Sequence, residues 1–94
     1  MASLDDLRGD IDRLDEVIVR LLNERARCVC EIGRLKKEAG VEVYQPDREK
    51  AVLAHVRGVG CEGPLGPEAI ARLFERIIDE ARRLERLVVH GDGV

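Results

Sequence analysis

At 94 residues the chain is the length of one small domain, and its 16 basic and 19 acidic side chains leave a net charge of −3, which argues against a nucleic-acid binder. Hydrophobic residues make up 45% but aromatics 2%, so any core must come from Leu, Ile, Val and Ala, as suits packed helices. No stretch approaches the roughly 20 apolar residues of a membrane span, and the opening "MASLDDLRGD" carries no signal-peptide pattern.

The first predicted element runs from about residue 3 to 38. Ser3 is a good N-cap, Asp5 and Asp6 occupy the first turn, and Lys36, Lys37 and Gly40 mark the end. Leu4, Leu7, Ile11, Leu14, Ile18, Leu21, Cys28, Ile32 and Leu35 recur three and four residues apart. Such a seam on a helix roughly 50 Å long needs a second helix along most of its length. Gly9 and Gly33 each cost such a helix about 1 kcal/mol relative to Ala. "GVEVYQP" is a short extended connector between Gly40 and Pro46.

A short second helix is predicted over 46–57, with Pro46 in its first turn and Gly58 ending it. "GVGCEGPLG" lacks the strand, Lys and Ser/Thr of a phosphate loop and reads as a connector. A third helix is predicted over 67–89, with the stripe Ile70, Leu73, Phe74, Ile77, Ile78, Ala81, Leu84 and Val88 interrupted by Glu85. "HGDGV" is expected to be a frayed tail. The fold class is all-α, with long, short and medium helices in a single domain spanning 1–94. Cys28, Cys30 and Cys61 form no C-x-x-C, which fits a reduced, cytoplasmic protein. His55 and His90 have no partners at metal-ligand spacing, so no metal site is expected.

Arg25 falls inside the apolar seam, and a buried arginine needs an anion. Two readings are open. Arg25 pairs with an acidic residue on another helix, Glu85 included, and sets register. Alternatively it belongs to an anion site. Arg25 and Lys36 are 11 residues apart, within about 20° of the same helix face and roughly 16 Å along it. Arg48 and Glu49 stand at the N-terminus of the second helix, which favours anions. Arg8 is most of a helix length from Lys36 and joins such a pocket only if a second long helix runs antiparallel. The ligand such a basic, apolar-walled pocket suits is a small organic polycarboxylate. Neither a nucleophile–base pair nor a metal constellation is evident, so an enzyme here must work by binding and electrostatics.

The motifs "LRGDIDRLDEVIVRLLNERARCVCEIGRLKK", "VYQPDREKAVL" and "IARLFERIIDEARRLE" resemble those of the all-helical, type II chorismate mutases over about residues 4 to 89. The resemblance implies an intertwined homodimer with antiparallel long helices and two active sites built from both subunits. It implies the rearrangement of chorismate to prephenate on the way to phenylalanine and tyrosine, a pericyclic step without a cofactor. By motif position, Arg25 and Arg48 are expected to hold the substrate carboxylates, with Arg8 entering from the other subunit. Lys36 is expected at the ether oxygen and a carboxylate, Glu49 at the ring hydroxyl, and Glu85 at the ether oxygen. Gln45 stands where many relatives have Asp, and Ala81 where some have Ser.

An ionised Glu85 would repel the developing oxyanion, so it is expected to act protonated, as a hydrogen-bond donor. Three other readings are compatible with the sequence: isochorismate pyruvate-lyase of salicylate synthesis, a non-catalytic helical dimer module, and a mutase activated by a partner enzyme of the same pathway.

Overall fold

The structure is a computed structural model that describes residues 1–91. The last three residues of the "HGDGV" tail lie outside the described residues. Three helices follow one another: α1 over Leu4–Ala39, α2 over Pro46–Gly60 and α3 over Pro67–His90.

Each boundary has a local cause. The Ser3 hydroxyl accepts from the Asp6 N–H at 3.1 Å, and the Asp6 carboxylate accepts from the Ser3 N–H at 3.2 Å. This reciprocal box satisfies two of the free amides that open α1. Gly40 closes the helix in the left-handed region, with φ at 68°, where a side chain would be strained. The Val41 N–H then bonds back to the Lys36 carbonyl at 2.9 Å.

Pro46 opens α2 in its first turn, while the Gln45 side chain makes no capping hydrogen bond. The helix does not stop at Gly58, as the sequence suggests, but continues to Gly60. An interior glycine weakens a helix by about 1 kcal/mol without ending it. The end is set by packing instead. A Cβ on Gly60 would lie 2.9 Å from Ile70 Cγ1 and 3.3 Å from the Pro67 backbone. The backbone of α2 therefore rests directly on the start of α3, and the chain turns there.

α3 lies between the other two helices. Among the described residues it packs on both α1 and α2, which do not pack on each other. Its most buried positions are Ala71, Ile78 and Glu85, spaced seven apart on one line. The expected stripe is thus recentred: Leu73 is exposed, and Ala71 is buried to 1% exposure. α1 contributes Val29 and Gly33 to this core, and α2 contributes Val56. At Gly33 the helices touch closely, since a Cβ there would stand 3.1 Å from Val88 Cγ1 and 3.4 Å from Glu85 Cγ.

The N-terminal half of α1 has no such cover. Leu4, Leu7, Ile11, Leu14, Ile18 and Leu21 are each at least 50% exposed. They form one apolar stripe along a molecule 57 Å long and 17 Å thin. A contiguous patch of that kind marks an interaction surface. Among the described residues, no helix is long and apolar enough to cross a membrane.

The Gly33 contact yields a paired prediction. Gly33→Ala drives a methyl into Val88 and is expected to destabilise the fold by about 1–3 kcal/mol. Gly58 has nothing within 4 Å, so Gly58→Ala is expected to gain up to about 1 kcal/mol from helix propensity. Urea denaturation of both variants checks this, and a more stable Gly33→Ala protein would contradict the close-approach account.

Candidate active site

One face of each helix meets in a cavity of about 400 Å³. α1 supplies Arg25, Cys28, Val29, Ile32 and Lys36, whose three- and four-residue steps hold them on one side. α2 and the connector supply Val43, Gln45, Arg48, Glu49 and Val52. α3 supplies Ile78, Ala81, Arg82 and Glu85. Seven of the eight site residues singled out in the sequence thus share one cavity. The exception is Arg8, which is exposed on the free half of α1, 17 residues and roughly 25 Å along the helix from Arg25.

The charges inside fall into two groups. Lys36 Nζ lies 2.5 Å from Glu85 Oε1, with the two side chains 15% and 11% exposed, and it donates to the Val43 carbonyl at 2.9 Å. The ammonium sits against Glu85 Oε1 by distance, yet off the direction of a hydrogen bond, so that buried oxygen accepts none among the described residues. Glu49 is held by Arg82 through two parallel bonds, Nε to Oε2 at 3.0 Å and Nη2 to Oε1 at 2.6 Å. This fork is the strong form of a charge-assisted pair. The Arg82 guanidinium lies 5.2 Å from the centroid of the Tyr44 ring, within cation–π range. The Glu49 carboxylate, through its hydrogen bond, holds Arg82 above the ordinary arginine pKa, and burial opposes it.

Arg25 and Arg48 make no hydrogen bond or ion pair among the described residues. Four cations face two carboxylates, and both carboxylates are already paired. Two guanidinium groups, one of them half-buried, are left facing an apolar-walled space. The arrangement corrects one reading of the seam: Glu85 pairs with Lys36, not with Arg25. It also qualifies the expectation for Glu49, whose two oxygens already carry Arg82. Arg82 itself escaped the sequence reading. Its signal was present, because it lies four residues after Ile78 and three before Glu85, on the buried face of α3.

Such a fold and site define an all-α helical domain with a cavity between its helices lined by more cations than carboxylates. The chain belongs to the chorismate mutase type II family, whose sequence profile matches residues 7–86. It is 35% identical over 91 residues to the bifunctional chorismate mutase/prephenate dehydratase of Aquifex aeolicus, covering 94% of this chain and 25% of that protein. It is 44% identical over 79 residues to the protein of the same description from Neisseria gonorrhoeae, covering 84% of this chain and 21% of that protein. The chain therefore spans about a quarter of the length of these relatives. A structure of chorismate mutase from Thermus thermophilus superposes with a TM-score of 0.85 at 41% identity, covering 88% of this chain and 93% of that one.

The Lys36–Glu85 contact can be tested through stability. Lys36→Met leaves a carboxylate buried without its counter-charge and is expected to cost about 3–5 kcal/mol. Adding Glu85→Leu removes the stranded charge and is expected to recover most of that loss. Urea denaturation of the single and double variants checks it; simple addition of the two losses would show that the pair is not coupled.

Proposed function

We propose that this protein is a chorismate mutase, converting chorismate to prephenate in phenylalanine and tyrosine biosynthesis. The observation that carries the reading is the pair of guanidinium groups without a partner among the described residues, Arg25 and Arg48, opening on one cavity with Lys36. Two uncompensated positive charges suit a dicarboxylate. The family and the Thermus thermophilus structure support the same substrate.

The mechanism follows from the charges. Arg25 and Arg48 clamp the two carboxylates and select the compact conformer in which the side-chain carbon lies over the ring. The ether bond then breaks with negative charge developing on oxygen. Lys36 has three donors and gives one to the Val43 carbonyl, so it can turn another toward that oxygen. A fixed donor of this kind is worth about 3–4 kcal/mol in a water-poor site. Glu49, held in place, accepts from the ring hydroxyl. Gln45 and Ala81 line the wall. Glu85, at the same end of the cavity, holds the Lys36 ammonium beside the ether oxygen.

The working form is an intertwined homodimer with antiparallel long helices. The uncovered stripe from Leu4 to Leu21 supports this, as does an apolar cavity of about 650 Å³ beside it, lined by Ile18, Leu22, Leu73 and Ile77. In that arrangement Arg8 reaches the partner's cavity and completes the clamp. We place the protein in the cytoplasm as a single domain over 1–94. Prephenate passes to an enzyme of the same pathway, a partnership supported by the bifunctional relatives.

An ultraviolet assay of chorismate loss, with a parallel assay for prephenate, tests the function. The parent is expected to convert one to the other. Arg25→Leu is expected to keep its thermal stability and lose at least about 100-fold in kcat/KM. Glu85→Ala is expected to lower kcat/KM by about 10-fold or more, because the Lys36 ammonium loses its anchor. Full activity in Arg25→Leu would contradict the clamp, and parental kcat/KM in Glu85→Ala would contradict the role of Glu85.

A further inference from the structure

We propose that Arg82 is a positioning residue: it holds the Glu49 carboxylate away from Arg25 and Arg48, so that both stay free for the substrate. The inference rests on the mutase reading above and adds a residue to it.

The argument starts from a hazard. Glu49 is the neighbour of Arg48 in sequence and shares the cavity with Arg25 and Lys36. A carboxylate on a flexible stem, facing two unpaired guanidinium groups, would pair with one of them. That would neutralise the charge the substrate needs. In the structure it does not happen, because both Glu49 oxygens are turned onto Arg82.

Arg82 is well placed to hold them. It is anchored on α3, and Asp79 Oδ1 lies 3.4 Å from its Nη1. The Tyr44 ring flanks its guanidinium plane at 5.2 Å. The connector carrying Tyr44 is itself tied down through the Val43 carbonyl to Lys36. α3 thus governs both acidic groups of the cavity, Glu85 by its own backbone and Glu49 through Arg82. A lysine at 82 would keep the charge but not the planar two-point grip.

Steady-state kinetics on the full chain test this, with melting curves as a folding control. Arg82→Met is expected to raise KM by about 10-fold or more, with kcat changed less. Arg82→Lys is expected to raise KM as well, and it keeps the stem and charge should the Met variant fail to fold. The decisive variant adds Glu49→Gln. In the parent background Glu49→Gln is expected to impair turnover. Added to Arg82→Met it is expected to bring KM back toward the parent value, because a neutral amide cannot occupy Arg25 or Arg48.

Direct binding of substrate by Arg82, or a merely structural role, would not give that reversal. Additive losses would overturn the proposal, as would a parental KM in Arg82→Met or Arg82→Lys. An inactive parent would bring down the mutase reading beneath it; an active parent with any of these outcomes brings down the positioning role alone.

Discussion

The cost of holding an arginine on an apolar helix face governs this structure. Arg25 is half-buried and has no anion among the described residues, although an isolated buried charge is among the most unfavourable features a small domain can carry. The rest of the cavity limits that cost without cancelling it. Lys36 and Arg82 are each given a carboxylate, so the positive field is confined to two guanidinium groups. An anion bound between them, as the proposed function requires, would recover that cost. A site that waits in this way is preorganised, which is the condition under which fixed charges accelerate a reaction.

α3 makes the arrangement possible. It is the helix that packs on both others, and it brings Glu85 to Lys36 and Arg82 to Glu49. Two glycines set how closely it approaches. Gly33 admits Val88 and Glu85 against α1, and Gly60 admits Ile70 against α2. The ion pairs are therefore consequences of backbone distance. At the other end of α1 the apolar stripe has no counterpart among the described residues; in the proposed dimer, burying it and completing the site are the same event.

Much of this was legible in the sequence, for identifiable reasons. Helix existence followed from periodicity and from caps such as Ser3 and Gly40. The convergence of Arg25 and Lys36 followed from their 11-residue spacing, which is a one-helix calculation. What was not legible depends on which helix lies beside which. Gly33 read as a weak point, because its value lies in what α3 brings against it. The end of α2 read as Gly58, because only Ile70 and Pro67 show why the helix must reach Gly60. Arg82 drew no notice in the sequence, because its partner is 33 residues away. The pairing of Glu85 with Lys36 rather than Arg25 was undecidable from spacing, since both cations lie on the same face.

The central claim is that a cavity with two unpaired guanidinium groups becomes a working site when a second long helix supplies Arg8. Subunit complementation tests this most directly. Arg8→Ala and Arg25→Ala should each be nearly inactive alone. Unfolded together and refolded, they should regain about a quarter of parental activity, since half the dimers are mixed and each mixed dimer holds one intact site of two. Recovery of that size would establish that each site draws Arg25 and Arg8 from different chains. Two inactive variants that stay inactive after mixing, or an active monomer, would contradict the account.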